Sequence, residues 1–138
     1  MADLFVLAVE DDSKDVLLLE REFGKVGLRG SVHFVQSGEQ VMDYLLGIAP
    51  YDDRAKYPFP NLLLVDLKMP GMDGFQLLEW LQKRGFRAGR PAVAVLTGSY
   101  RQQDFERAHV LGADFCLSKA TDLQELVGAI KSMAAGKH

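Results

Sequence analysis

Five side chains of types that handle phosphate or metal ions stand at or just after the ends of short apolar runs: Glu10, Asp11, Asp66, Thr97 and Lys119. Three carboxylates can lie close together only where a cation offsets their repulsion, and hard oxygen ligands suit Mg²⁺. A carboxylate nucleophile, Mg²⁺, a hydroxyl and an ammonium group are the parts needed to form and stabilise an acyl phosphate. The residue types therefore predict phosphoryl transfer to a carboxylate, and we take Asp66 as the acceptor.

We assign Asp66 as the acceptor because of its position in the stretch 61–74, NLLLVDLKMPGMDG. An unbroken apolar run bounded by turn residues predicts a strand that is buried on both faces of a parallel sheet. Such a strand delivers its last residue to the carboxyl edge of the sheet, where open α/β folds bind their ligands. We expect this strand to be the central element of the protein.

Strands and helices alternate along the whole chain. The predicted strands cover 4–9, 31–35, 62–65, 92–96 and 114–118. The first helix has a cap at Ser13 and apolar positions at Val16, Leu17, Leu19 and Phe23, and capping-box spacing marks the other four helix starts, at Ser37/Gln40, Asp73/Gln76, Ser99/Gln102 and Thr121/Gln124. The alternation predicts an α/β fold with a doubly wound five-stranded parallel sheet. Strand order 2-1-3-4-5 would bring the polar strand ends together at the switch point between strands one and three.

Composition excludes several classes of protein. The 138 residues are 48% hydrophobic and 25% charged, which fits one globular domain, and the net charge of −3 with no basic block argues against a nucleic-acid partner. Cys116 is the single cysteine, so neither an internal disulfide nor a cysteine-rich zinc site can form. No apolar run approaches membrane-spanning length, and the first residues are acidic where a signal peptide is basic. We expect a cytoplasmic protein with no membrane contact.

Four motifs together resemble the receiver domain of bacterial two-component response regulators, a flavodoxin-like fold: VEDD at 9–12, LLVDLKMPGMDG at 63–74, LTGS at 96–99 and GADFCLSK at 112–119. The resemblance covers nearly the whole chain and implies a single receiver domain over 1–138, with 136–138 as a frayed tail. It implies that Asp66 accepts a phosphoryl group from a sensor histidine kinase or a phosphotransfer protein. It assigns Mg²⁺ to Glu10, Asp11, Asp66 and the backbone carbonyl of Lys68, with Asp11 as the more direct ligand of the acidic pair. Thr97 and Lys119 would bind the phosphoryl oxygens.

The resemblance also predicts how the protein signals. Nothing similar to an output domain follows the last predicted helix, so we expect a stand-alone regulator that acts through contacts with an unknown downstream protein. The opening EDDSKDVLLLEREF and the long loop 49–60 resemble single-domain regulators that pair with phytochrome-type kinases. That loop is long enough to be either functional or mobile. A homodimer is left open, with its contact expected on the last helix and the last two strands.

Two positions depart from the family pattern. Cys116 stands where the family has Tyr or Phe, and this puts the usual coupling between the threonine and the aromatic ring in doubt. Ala120 stands where the family has proline after the lysine, which predicts a trans peptide bond there because a cis bond costs several kcal/mol more without proline. Neither change removes a group that the phosphoryl chemistry needs.

Three other functions are alternatives to phosphoryl transfer onto Asp66. A receiver-like adaptor that docks its partners independently of phosphorylation is the main alternative. A Mg²⁺-dependent phosphohydrolase is disfavoured because its general acid would fall at Lys68, and a dinucleotide-binding domain because no G-x-G-x-x-G follows the first strand. Asp12 is interpreted as a helix cap and Cys116 as a small core residue. The three histidines are interpreted as structural or surface residues, and Trp80 and the methionines as packing residues.

Overall fold

The structure, a computed structural model, describes residues 4–25, 27–28, 31–69, 71–85, 91–98, 101–118, 125 and 128. Its elements in chain order are β1 (Val6–Val9), α1 (Ser13–Lys25), β2 (Val32–Val35), α2 (Gly38–Leu46), β3 (Leu62–Val65), α3 (Gly74–Arg84), β4 (Ala92–Thr97), α4 (Gln102–Val110) and β5 (Phe115–Ser118). The five strands form one parallel sheet in the order β2-β1-β3-β4-β5. The predicted fold class and strand order are confirmed.

The central strand explains the three-layer architecture. Every residue of β3 is buried, and alternate side chains enter two different cores. Leu63 and Val65 join the core under α2, α3 and α4, whereas Leu62 and Leu64 join the core under α1. A strand that is apolar on both sides therefore forces helices onto both faces of the sheet.

The N-cap residue of helix α1 lies one position earlier in the chain than the sequence pattern predicted. The Asp12 carboxylate accepts the N–H of Lys14 at 2.9 Å, and its carbonyl accepts the N–H of Val16 at 3.0 Å. Asp12 is therefore the cap and Ser13 the first helical residue, because the Asp12 carboxylate accepts the N–H of Lys14, the second helical residue, and the Asp12 carbonyl accepts the first intrahelical hydrogen bond. The interpretation of Asp12 as a cap is confirmed and the Ser13 cap was wrong.

Two predicted capping boxes can be judged at α2 and α3. Ser37 accepts the N–H of Gln40 at 3.2 Å, and Asp73 and Gln76 each accept the other's N–H at 2.9 Å. Both helices start where the spacing predicts, and the box at α3 is complete.

The predicted start of α4 was wrong. The helix begins at Gln102 with Arg101 as its cap, and no side chain caps it. Gln102 is thus the first helical residue. A capping box with Ser99 would need Gln102 as the third helical residue, with its side chain bonded to the N–H of Ser99. The Thr121/Gln124 box, the last helix beyond residues 125 and 128, and Ala120 lie outside the described residues.

The long loop between α2 and β3, residues 49–60, is called the strap below. Its side chains pack on β2 and α2, since Tyr51, Tyr57 and Phe59 adjoin the core under those elements. The strap, which was predicted to be either functional or mobile, is packed onto the core. Within the described part of the chain, no helix is long and apolar enough to cross a membrane.

Candidate functional site

Three predicted acids meet at the carboxyl edge of the sheet. Val9 of β1 pairs with Val65 of β3, so the residues that follow each of them, Glu10 and Asp66, leave the sheet side by side. One carboxylate oxygen from each of Glu10, Asp11 and Asp66 lies within 4.8 Å of the others. The parallel register thus produces the cluster that the strand ends predicted.

The three acids differ in their exposure to solvent. Glu10 is 3% exposed and Asp66 is 7% exposed, whereas Asp11 is at the surface. Glu10 is held from two sides, because its N–H donates to the Val35 carbonyl at 3.0 Å and its Oε1 accepts the N–H of Asp12 at 3.2 Å. Two buried like charges beside a third carboxylate repel each other, and a cation is the physical means of offsetting that repulsion.

Asp66 is restrained by the loop that follows it. Its Oδ1 accepts the N–H of Lys68 at 3.0 Å, and the N–H of Gly74 donates to the Leu67 carbonyl at 3.1 Å. A Cβ on Gly74 would lie 2.8 Å from both the Asp66 carbonyl oxygen and the Leu67 Cα. The first residue of α3 must therefore be glycine for the helix to seat against the acceptor's own peptide unit. The sequence analysis placed Gly74 in a motif but missed this role.

A second contact anchors the same loop on the neighbouring helix. A Cβ on Gly38, the first residue of α2, would lie 2.8 Å from the Met72 Sδ. The methionine therefore packs directly over the backbone at the start of α2. The loop after Asp66 is thus anchored where it enters α3, by this contact and by the capping box at Asp73.

Thr97 ends β4 and is 1% exposed. It pairs with Ser118 at the end of β5, and Ser118 is also buried. Ser118 is a buried hydroxyl at this edge that the sequence analysis did not single out, although its place before Lys119 was a signal. Lys119 itself lies outside the described residues, as do Pro70 and Ser99.

A pocket of about 360 Å³ opens beside the acid cluster. Glu10 and Asp11 form one end, and the remaining lining residues are Ser13, Val16, Leu17, Phe34 and Gln36. Leu17 is 66% exposed and Leu18 is 42% exposed. The sequence analysis counted Leu17 among the apolar positions of α1, but only Leu19 and Phe23 of that helix are buried. Two large apolar side chains of α1 are thus presented to solvent, and Leu17 lines the pocket beside the acids.

Cys116 packs between β5 and α4. It adjoins the core under α4, and its Sγ lies 3.8 Å from the Phe105 carbonyl oxygen. Burial raises the pKa of the Cys116 thiol to about 11, so the thiol stays protonated near neutral pH. The interpretation of Cys116 as a small core residue agrees with this environment.

The acid cluster fits a magnesium ion. Opposite ligands of an octahedral Mg²⁺ ion lie about 4.2 Å apart, since each bond is about 2.1 Å long. The carboxylate oxygens of Glu10, Asp11 and Asp66 lie within 4.8 Å of one another, so a small adjustment brings them into that range. An all-oxygen donor set, with one acid exposed to water, is the chemistry that Mg²⁺ prefers.

The sequence and fold were compared with known proteins. The family described as the response regulator receiver domain matches residues 6–131. The response regulator Rcp1 from Synechocystis is 27% identical over 93% of this chain and 84% of its own length. Its Mn²⁺-bound form has been solved and superposes with a TM-score of 0.75.

Two further solved structures share the fold over nearly the whole chain. The response regulator RPA3017, described in red light signalling of R. palustris, is 30% identical, with 94% of this chain and 90% of that chain covered and a TM-score of 0.80. The phosphorylated cyanobacterial phytochrome response regulator RcpA is 26% identical, with 96% and 91% covered and a TM-score of 0.77.

Proposed function

The chain belongs to the response regulator receiver domain family, and from this membership we propose that Asp66 accepts a phosphoryl group and that the phosphorylated domain signals through protein contacts. The protein is a receiver-domain response regulator of two-component systems. The observation that carries the proposal is the meeting of Glu10, Asp11 and Asp66 within 4.8 Å, two of them buried.

The transfer proceeds from a phosphohistidine of a sensor histidine kinase or a phosphotransfer protein. An oxygen of the Asp66 carboxylate attacks phosphorus, a P–O bond forms, the P–N bond to the donor's imidazole breaks, and the imidazole leaves with the electron pair. The Lys68 N–H that holds Oδ1 restrains the carboxylate for this approach. The step depends on positioning and on charge neutralisation more than on acid–base chemistry.

Glu10, Asp11, Asp66 and the backbone carbonyl of Lys68 would hold Mg²⁺. When bound, the ion offsets the negative charge that the three acids and the phosphoryl oxygens bring together. Thr97, buried at the end of β4, would donate its hydroxyl to one phosphoryl oxygen, and Lys119 would place its ammonium group on another. The family consists of signalling proteins rather than classical enzymes; whether this chain also removes its own phosphoryl group belongs to the proposal.

The phosphoryl donor is proposed to be a phytochrome-type kinase. The support is the similarity to RPA3017 in red light signalling and to the phytochrome regulator RcpA over more than nine-tenths of this chain. Leu17, in the pocket beside Glu10 and Asp11, and its neighbour Leu18 are exposed and supply apolar area for a docked partner. A cytoplasmic location and a homodimer remain predictions that go with this function.

The proposal is tested by intact-protein mass spectrometry after incubation with acetyl phosphate and Mg²⁺. One added phosphoryl group is expected on the wild type, and none on Asp66→Asn or in the presence of EDTA. Circular dichroism of Asp66→Asn must show a folded domain for the comparison to count. An adduct of the same yield on folded Asp66→Asn would overturn the assignment of the acceptor.

The second candidate is an adaptor that binds its partners without regard to phosphorylation. It is favoured by Cys116, because this position holds a small thiol packed against α4 where the family has an aromatic ring that couples to the threonine. The discriminating measurement is the partner's affinity for phosphorylated and unphosphorylated protein. Equal affinities would support the adaptor, and a difference of tenfold or more would support the switch.

A further inference from the structure

The strap covers an aromatic cluster that lies apart from the acid site. His33, on the edge strand β2, lies at its centre, with the ring centroids of Tyr44, Tyr51 and Tyr57 at 5.6, 6.4 and 5.6 Å. The rings of Tyr51 and Tyr57 stand nearly perpendicular to the imidazole, at 81° and 86°. These separations lie within the range of favourable aromatic pairs, so His33 is the residue of β2 through which the strap's rings contact this strand.

Arg54 fastens the strap to α2. Its guanidinium donates to the carbonyl oxygens of Leu45 at 3.1 Å and Tyr57 at 3.3 Å. It also lies over the rings of Tyr44 and Phe59, at 5.8 and 5.6 Å from their centroids. The last turn of α2 contains no basic residue, so Arg54 supplies the positive charge that a helix C-terminus favours. A permanent cation is thus part of the cluster around His33.

Within the described part of the chain, the side chains in ring contact with His33 are tyrosines, which carry no negative charge that would stabilise a proton on the imidazole. Tyr44 of α2 is buried, and its hydroxyl donates to the Pro58 carbonyl at 2.9 Å. Burial raises the pKa of Tyr44 to about 12, so this ring stays neutral. Across the sheet, the residue of β1 that pairs with His33 is Leu7.

The charges carried by the strap do not change this balance. Lys56 adds a cation 5.5 Å from the centroid of Tyr57. The acids Asp52 and Asp53 are exposed, and Asp53 accepts the N–H groups of Ala55 and Lys56 within the strap. A protonated His33 would therefore bring a further cation into a cluster that already holds Arg54.

We propose that His33 and Arg54 make the strap a pH-sensitive latch, which is closed on β2 and α2 while His33 is neutral and loosens when His33 takes up a proton. Opening uncovers the buried Tyr44 ring and frees the Leu45 carbonyl from Arg54. This latch is independent of the function proposed for Asp66.

The direction of the pH effect follows from linkage. Burial lowers the pKa of His33 in the closed state below its ordinary value of 6.5. Each unit by which the closed-state pKa lies below the open-state pKa shifts the equilibrium about tenfold toward the open strap at low pH. The closed strap has its full stability above pH 6.5. That stability decreases as the pH falls from 6.5 through the pKa that His33 has in the closed state.

The test is hydrogen exchange of the full chain by mass spectrometry at pH 7.5 and pH 5.0, with exchange times corrected for the intrinsic rate. The N–H of Tyr51 donates to the Ile48 carbonyl and that of Tyr57 to the Asp53 carbonyl, so strap amides report closure. We expect their protection to be lower at pH 5.0 than at pH 7.5, while β3 is unchanged. In His33→Phe, whose ring cannot be protonated, protection should be the same at both pH values.

His109→Gln is the matched control, since His109 lies in α4 and contacts the Ala113 carbonyl, away from the strap. It should keep the wild-type pH dependence. An NMR titration of His33 in the wild type gives a second measurement that does not depend on how the variants fold. A His33 pKa at or above 6.5, or a strap whose protection falls equally in His33→Phe, would overturn the latch.

Discussion

The acid edge and the strap cluster bury polar groups in opposite ways. At the acid edge, Glu10 and Asp66 are buried with a third carboxylate at their side, and all three carry the same charge. In the strap cluster, the polar groups are satisfied by the protein itself, as the bonds from Tyr44 to Pro58 and from Arg54 to Leu45 show. The first region gathers carboxylate ligands for a cation, whereas the second satisfies its polar groups within the protein and is self-contained in this sense.

This difference separates function from stability. Carboxylates that repel one another lower the stability of the folded chain. Proteins keep such destabilising groups at sites that bind a ligand. Hydrogen-bonded and stacked groups of mixed type raise stability. Substitutions that remove a polar group should therefore act with opposite sign in the two regions.

Gly74→Ala should be the most damaging change, because it disturbs the frame of the acid edge rather than its charges. The new Cβ would lie 2.8 Å from two backbone atoms that cannot rotate away. We expect a loss of about 2–4 kcal/mol in the free energy of unfolding, measured in urea, from overpacking and the backbone shift it forces.

Gly98→Ala is the matched control for that change. A Cβ at Gly98 meets nothing within 4 Å. The free energy of unfolding should stay within about 0.5 kcal/mol of the wild type. Equal effects of the two alanine variants would contradict the tight seating of α3 on the peptide unit of Asp66.

The contrast also explains what the sequence could predict. Parallel strands send their carboxyl ends to one edge, so the meeting of Glu10, Asp11 and Asp66 followed from the strand order alone. Exposure of Leu17 did not follow, because a helical apolar pattern cannot tell which of several neighbouring leucines faces the sheet. The start of α4 at Gln102 was missed for a related reason, since one serine and glutamine pair can match a capping box by chance.

The strap cluster was beyond sequence reasoning altogether. His33, Tyr44 and Tyr57 lie on a strand, a helix and a loop, and no local spacing relates them. Long-range packing of this kind depends on the path of the whole loop. The close approach of Gly74 to Asp66 is similar, because the motif marks a glycine but not the backbone atoms that it contacts.

Arg54→Gln should lower the stability of the folded chain, because it removes a polar group from the strap cluster, whose hydrogen bonds are made within the protein. The variant loses the charge and the fork that joins Leu45 and Tyr57, together with its contacts to two aromatic rings. We expect a loss of about 1–2 kcal/mol in the free energy of unfolding. Lys56→Gln is the control, because Lys56 is exposed and contacts one ring, and its effect should stay below about 0.5 kcal/mol. If the free energy of unfolding of Arg54→Gln equalled that of the wild type, the aromatic rings alone would hold the strap.

Asp66→Asn should have the opposite sign at the acid edge. The asparagine oxygen can still accept the Lys68 N–H, so the local frame is kept while one of three like charges is removed. In metal-free buffer we expect the free energy of unfolding to rise by about 1 kcal/mol, and the gain to shrink at high salt as screening weakens the repulsion.

The same measurement with Mg²⁺ decides whether repulsion is the cause. Binding to the folded state adds RT ln(1 + [L]/Kd), so Mg²⁺ should stabilise the wild type more than Asp66→Asn and reverse their order at high concentration. Asp12→Asn serves as the control, because asparagine caps a helix about as well as aspartate and Asp12 is outside the cluster. If Asp66→Asn were less stable than the wild type without metal, the acid edge would be self-contained like the strap, and the contrast between the two regions would fail.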